Sequence, residues 1–332
     1  LIEGRFRNAV YRDPTRPEPA LVEEGRLRSE AWAWWAGGHG LLVAKYNNND
    51  IELSVAAPVR QGSRITLRFG GAGTCLYGEP GRGHRLAPGQ SFTFGTTHYV
   101  YVDGRIEEAF ACYRDLLDSL GHGLPADYTP PVNWNELYDV GWHHSDPQRL
   151  NACYTRDALL GEAEKARACG CDLLYLDPGW EVAEGTTRWD EGRLGKAEDF
   201  VRQMQRDFGL HVGLRTILRC YREHWDRRHM VQPLAGDKAP VPIWPDQTLW
   251  QLCLCDRTFW PQKLERILAV VGGGIRFLMV DEMDWRGPCH EHEHGHGVPT
   301  TAGDHVRAVY ELCRELKRRC PGLTIECHDP VW

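Results

Sequence analysis

A chain of 332 residues, 42% apolar and 26% charged, carries enough apolar side chains for one large globular domain or two ordinary ones. A net charge of −7 argues against a nucleic-acid partner, and no apolar run reaches the roughly 18–20 residues of a membrane-spanning helix. Twelve cysteines in so long a chain do not make a small disulfide scaffold. The pairs Cys169-Gly-Cys171 and Cys253-Leu-Cys255 lack the C-x-x-C spacing of zinc knuckles. They read as buried thiols, a mild lean towards a reducing cytoplasmic compartment that leaves the localisation unassigned.

Alternating apolar and polar residues at 41–46, 51–55, 65–69, 91–94 and 98–102 predict short strands, separated by Gly, Asn, Asp and Pro clusters such as Asn47-Asn-Asn-Asp50 and Ala87-Pro-Gly-Gln90. Helical spacing first appears over 105–120 and stops at Gly121, and the Pro-rich stretch from Gly123 to Pro131 reads as a linker. The pattern then changes to strand–helix alternation. Strands are predicted at 132–138, from Asp172, at 211–217, up to Asp281 and at 323–327. Helices are predicted at 157–168, from Ala197, at 261–271 and after Asp304, with 219–252 left irregular. Such alternation implies a parallel sheet. The expected organisation is a β-sandwich portion over 1–104, a connecting helix and linker over 105–131, and a (β/α)8 TIM barrel from 132, truncated after about strand five. Pattern alone leaves an open doubly wound sheet as the alternative, although no glycine-rich phosphate loop follows any strand.

Three of the strand-like runs end in an acid with a tryptophan close behind: Asp177 with Trp180, Asp281 with Trp285, and Asp329 with Trp332. In a βα barrel the carboxyl ends of the strands converge on one pocket. Carboxylates that act on a glycosidic bond and its hydroxyls, beside aromatic faces that pack on C–H groups, are what a sugar site needs. Thirteen tryptophans, several near strand ends, strengthen the case for a ligand wall.

These motifs resemble glycoside hydrolase family 36, the melibiase-type α-galactosidases of clan D. Leu86-Ala-Pro-Gly-Gln-Ser-Phe is similar to the end of that family's N-terminal supersandwich, and Val132-Asn-Trp-Asn-Glu-Leu-Tyr-Asp139 to its first barrel strand. Leu176-Asp177-Pro-Gly-Trp180 resembles its Asp-Asp-Gly-Trp strand end, and Gly213-Leu214 its third strand. Phe277-Leu-Met-Val-Asp281 falls where the family has Lys-Trp-Asp. The resemblance implies retaining hydrolysis of an α-glycoside with Asp281 as nucleophile, and a glycoside or oligosaccharide as substrate. It implies no cofactor and assigns no metal ligand. Pro178, Met279, Arg215 and Glu326-Cys-His depart from the family pattern at groups that bind galactose hydroxyls, so the sugar stays unassigned. The family's acid/base lies on strand six, beyond Trp332, which implies a partial chain inactive alone.

Period-two alternation puts Phe277, Met279 and Asp281 on one face of their strand, which directs Asp281 into a barrel interior. Asp177 is expected to accept sugar hydroxyls and Trp180 to provide a ring platform. Trp134, Trp285, Arg215 and Glu326 complete the candidate binding set. Each has a plainer reading: a turn former ahead of Pro178-Gly179 for Asp177, core packing for the tryptophans, a structural ion pair for Arg215. The run from Cys289 to Gly297 contains His290-Glu291-x-x-His294, formally a zincin motif, but glycines interrupt it and no apolar helical stripe surrounds it. It reads as a polar loop after strand four. Two alternatives to the glycosidase are a non-catalytic carbohydrate-binding protein on a degenerate barrel and a metal-dependent hydrolase using the His290–His296 loop. The sequence leaves a homo-oligomer open.

Overall fold

The alternating segments near the N-terminus form antiparallel strands, and the strand–helix repeats after residue 132 form a parallel sheet. The computed structural model describes residues 2–5, 8–11, 27–29, 31–47, 52–61, 64–73, 87–91, 93–221, 224–244, 247–283, 285 and 287–328. The chain divides into two units, Leu1–Tyr128 and Thr129–Trp332.

In the first unit β1 (Ile2–Arg5) pairs with β2 (Asn8–Tyr11). A three-stranded sheet holds β3 (Leu27–Ser29), and a second begins with β4 (Ala31–Ala36) and β5 (His39–Tyr46). The strands β6 (Glu52–Gln61) and β7 (Arg64–Gly73) complete the first in the order β3-β6-β7, and β8 (Thr96–Asp103) completes the second as β4-β5-β8. The hairpin joining β4 to β5 turns on Gly37 and Gly38, both at positive φ, which is the two-residue turn that matches strand twist. That glycine pair was the available sign of β4, a strand absent from the pattern-based expectation. The expected strand at 91–94 does not form at its described residues 91, 93 and 94; the β5–β8 ladder ends where Tyr46 pairs with Thr96. The helix α1 (Ile106–Leu117) lays Ile106 and Ala109 on Ala33, Leu42 and Val102, and the chain leaves it through a wider turn to His122 with Gly121 at φ 90°.

The second unit places β9 (Asn133–Asn135), β10 (Leu173–Leu176) and β11 (His211–Thr216) side by side, all parallel. Between the first two lies α2 (Arg156–Ala168), capped by Thr155, whose hydroxyl accepts from the Ala158 N–H. Between the next two lies α3 (Ala197–Gln203). The stretch expected to be irregular holds a small antiparallel sheet of β12 (Arg219–Cys220), β13 (Val241–Trp244) and β14 (Gln247–Gln251) in the order β12-β14-β13. After α4 (Phe259–Val271) comes β15 (Phe277–Val280); after α5 (Ala302–Arg319) comes β16 (Thr324–Cys327). The parallel sheet reads β9-β10-β11-β15-β16, strictly sequential and without the reversal of a doubly wound sheet. It is compatible with part of an α/β barrel.

Both faces of this sheet are apolar, as a parallel sheet requires. Leu174, Leu176, Val212, Leu214, Leu278 and Val280 share one core with residues of the helices, among them Leu159, Phe200, Ile267 and Leu312. On the other face Leu173, Tyr175 and Phe277 cluster with Met279. Gly213 sits among them because a Cβ there would meet Phe277 Cδ1 at 2.8 Å and Leu173 Cδ2 at 2.9 Å.

Candidate functional site at the carboxyl ends of the parallel strands

The face that carries Tyr175 and Phe277 continues at the strand ends into polar residues. Strand register places Asn135 beside Tyr175, Arg215 beside Met279, and Met279 beside Glu326, with Asp177 and Asp281 one step beyond β10 and β15. Arg215 is the centre. Only 7% exposed, it sets Nε 2.7 Å from Asp281 Oδ2 and 3.5 Å from Asp177 Oδ1, Nη1 3.2 Å from Glu184 Oε1, and Nη2 2.9 Å from Glu282 Oε2. Burial alone would weaken the guanidinium's hold on its proton; Glu282, Glu184, Asp281 and Asp177 more than offset this and keep it charged.

Each acid is also held from elsewhere. Asn135 Nδ2 donates to Asp177 Oδ2 at 2.8 Å, while the Asp177 N–H donates to Glu136. Burial raises the Asp177 carboxyl above its ordinary value, against the pull of Arg215 and Asn135. Asp281 Oδ1 accepts from the Glu282 N–H at 2.8 Å, and the Asp281 N–H donates to the Thr216 carbonyl at 2.9 Å. Glu282 adopts φ 44°, uncommon for a residue with a Cβ, and reaches Arg219 Nη1 at 3.4 Å as well as Arg215. Burial raises its carboxyl too. His144 Nε2 lies 3.6 Å from Glu184 Oε2. Burial, then Arg215 and His143, hold its imidazole below the ordinary range despite that acid. The Asp281 side chain is 25% exposed, which leaves it open to a ligand.

Asp177, Arg215 and Asp281 are therefore brought together, as the strand pattern predicts. Glu326 lies on the same face two strands from Arg215 but is 45% exposed and hydrogen-bonded to His328. Trp180 is corrected by the structure: at 1% exposure it belongs to the main core, and its Nε1–H donates to the Arg215 carbonyl at 3.1 Å, so no ring face is free for a sugar. Trp134 points the opposite way from Asn135, packs against the helix-side core and donates to Glu162 Oε2 at 2.8 Å. Trp285 is half-buried, and its Nε1–H has no hydrogen-bond partner among the described residues. Sequence reasoning missed Glu184, Glu282 and His144 as members of the cluster. Only Glu282, adjoining Asp281, carried a signal. The histidine loop contains a short 3-10 turn, His292–His294, in place of the helix a zincin needs, so His290 and His294 do not share a helical face.

Four carboxylates, Asp177, Glu184, Asp281 and Glu282, against the guanidiniums of Arg215 and Arg219 leave the cluster with an excess of acidic groups. Such a field favours a ligand or transition state that develops positive charge.

Neither a family model nor a curated protein sequence matches this chain. Solved structures do. An α-galactosidase from Thermus thermophilus in complex with stachyose superposes with a TM-score of 0.59 at 17% identity, covering 96% of this chain and 60% of that one. These structures share its fold. The glycoside hydrolase family 36 α-galactosidase AgaB of Geobacillus stearothermophilus gives 0.57 at 17% identity over 91% of this chain and 43% of its own. The galactosidase domain of an α-galactosidase–sucrose kinase gives 0.57 at 16% identity, with 91% and 43% covered. The resemblance to family 36 thus holds at the level of the fold, and this chain spans about half the length of the structures it matches.

Proposed function

We propose that this chain is part of a retaining glycosidase acting on α-glycosides, with Asp281 as the nucleophile. Its five parallel strands would be the first five of an eight-stranded barrel, the sheets within 1–104 a portion of a β-sandwich, and 105–131 the connection between them. The observation that carries the reading is Asp281 itself: an inward-facing, solvent-reachable carboxylate at the end of the fourth parallel strand, oriented by Arg215 and by the Glu282 N–H. The excess of acidic groups around Arg215 suits an oxocarbenium-like transition state, and Asp177, next to that cluster just past the second strand, would accept a sugar hydroxyl. In that scheme Oδ1 or Oδ2 of Asp281 attacks the anomeric carbon as the glycosidic oxygen departs with a proton from the acid/base that the family resemblance puts on strand six, and water, giving its proton back to that group, later releases the sugar from the glycosyl-enzyme ester. Oligosaccharides are the substrate class; stachyose and raffinose are the sugars bound in related structures.

A second reading, a non-catalytic carbohydrate-binding protein, draws on the 2.7 Å pairing of Asp281 Oδ2 with Arg215, which engages one oxygen of the proposed nucleophile. An activated α-glycosyl fluoride bearing a second fluorine beside the anomeric carbon separates the two. Its leaving group needs no protonation, so the trap depends on the nucleophile alone. Peptide mapping should find the sugar on the peptide containing Asp281, and Asp281→Asn should slow labelling at least ~100-fold, since an amide is a far poorer nucleophile than a carboxylate. Label on Asp177, or equal labelling of the variant, would falsify the assignment; binding without any label would favour the second reading.

A further inference from the structure

We propose that Cys253, Cys289, His294 and His296 form a structural zinc site that ties the segment after β14 to the loop after β15. The site is separate from Arg215 and its carboxylates, and its existence is independent of the glycosidase reading.

One donor atom from each of the four residues lies within 4.8 Å of the other three. A tetrahedron of zinc–sulfur and zinc–nitrogen bonds needs donor separations of roughly 3.3–3.8 Å, so a small contraction closes it. Cys253, Cys289 and His294 are buried and His296 half-buried, unlike the exposed acidic groupings that gather on surfaces by chance.

Hydrogen bonds fix which nitrogen of each imidazole can donate to a metal. The Arg228 carbonyl takes the Nε2–H of His294, leaving the Nδ1 lone pair 3.4 Å from Cys289 Sγ. The Gly297 carbonyl takes the Nδ1–H of His296 at 2.8 Å, so its lone pair is on Nε2. That Nε2 is buried and has no hydrogen-bond partner among the described residues. A metal-binding histidine characteristically donates its second N–H to a carbonyl or carboxylate, and both do so here.

The sulfurs are prepared in a similar way. The Gln232 N–H points at Cys289 Sγ at 3.4 Å, a donor suited to a thiolate. Cys289 is pinned to Thr300 by two hydrogen bonds, its N–H to Oγ1 at 2.8 Å and its carbonyl from the Thr300 N–H at 3.1 Å. The Cys253 N–H donates to the His229 carbonyl at 2.8 Å. Between the histidines, Gly295 at φ 73° returns the chain so that both rings meet, their centroids 5.3 Å apart. Two adjacent buried thiolates repel each other. A divalent cation between the sulfurs removes that conflict: each thiol releases its proton to solvent as its sulfur binds, and two thiolates neutralise the ion.

Two sulfur and two nitrogen donors in tetrahedral reach select zinc, and four protein ligands leave no open position for a substrate. The site is therefore a brace. It also differs from the zincin match in the sequence, because His290 is not among the ligands.

The chain should be purified under reducing conditions with zinc, passed through a desalting column and assayed for metal. One zinc per chain is expected. Cobalt substitution should give thiolate-to-metal charge-transfer absorption and the intense visible bands of a tetrahedral ion. In competition with a chromogenic chelator, His296→Ala should bind zinc at least ~10-fold more weakly, while His292→Ala, an exposed neighbour outside the cluster, should bind normally. His296 is half-buried on a loop, so its variant tests the site even where Cys289→Ser does not fold. Zinc well below one per chain, equal loss in both histidine variants, cobalt spectra without charge transfer, or a disulfide joining Cys253 to Cys289 would overturn the proposal.

Discussion

Glu136 adjoins the carboxylate cluster but plays a different part. It is fully buried, its Oε1 accepts from the Tyr154 hydroxyl at 2.7 Å, and the Asp177 N–H donates to both carboxyl oxygens at 2.9 and 3.1 Å. Burial pushes its carboxyl from an ordinary 4.5 up to about 8, in spite of those donors. Between these values the folded chain holds a proton that the unfolded chain has lost, so this residue's contribution to stability falls as pH rises. Fully developed, the loss is on the order of 5 kcal/mol. Glu136→Gln cannot ionise and should remove that slope: compared by urea midpoints, the variant should gain on wild type between about pH 5 and about pH 8. Parallel curves would show that Glu136 stays ionised and only orders the backbone of Asp177. At this scale the sequence displayed Asp177, Arg215 and Asp281 because each occupies or adjoins a strand end, where parity fixes its direction. It could not display Glu184, which reaches Arg215, or His144, which reaches Glu184, because both come from loops whose paths depend on the rest of the fold.

The loop after β10 shows how such a path is fixed. Glu181, buried at its start, accepts the N–H groups of Gly185 and Thr187, while Lys263 Nζ reaches in from α4 to Thr187 Oγ1 at 2.6 Å and to the Ile217 carbonyl at 2.7 Å. The hairpin this creates carries Glu184 to Arg215. Gly185 lies at φ +81°, its carbonyl accepts from Trp225 Nε1, and a Cβ would come within 1.6 Å of the Arg219 carbonyl oxygen. Because the obstacle is backbone, no rotamer change relieves it. Gly185→Ala should therefore destabilise by roughly 2–4 kcal/mol and withdraw Glu184 from Arg215. Denaturant melts measure the first effect, and a shift in the His144 imidazole's NMR titration the second. An unchanged melt would mean that the loop is not braced as described. Among the elements, the amphipathic helices were the most legible: α5 has a continuous apolar stripe, and its Thr301–Asp304 capping box starts it slightly earlier than periodicity alone suggested. The strands β12 to β14 escaped notice because they are two to five residues long, in a stretch punctuated by Pro233, Gly236, Pro240 and Pro242.

For the whole molecule, alternation announced a parallel sheet, but only strand order could separate a barrel from a doubly wound sheet, because both repeat the same strand–helix unit. The sequential order β9-β10-β11-β15-β16 lacks the reversal of a doubly wound sheet and is compatible with part of an α/β barrel. In the first unit, β3 pairs with β6 across more than twenty residues and β5 with β8 across fifty, partnerships that local pattern does not encode. The change of pattern near the Pro-rich segment, by contrast, was visible, and the division into Leu1–Tyr128 and Thr129–Trp332 falls within it. Residues 121–130 are all exposed, Leu124 and Tyr128 present large side chains to solvent, and the Tyr128 N–H donates to the Pro125 carbonyl across a turn. Each flanking unit has a hydrophobic core of its own. Because a protease must draw a local stretch of chain into its cleft, an exposed segment with few internal bonds is cut before packed strands and helices. Brief treatment with chymotrypsin should cleave first after Tyr128, since Pro125 protects the bond after Leu124, and leave a C-terminal fragment that resists further digestion, located by intact-mass measurement. Early cuts within the parallel-sheet unit, ahead of any between residues 121 and 130, would show that this unit is the less stable part and that the chain does not divide at the linker.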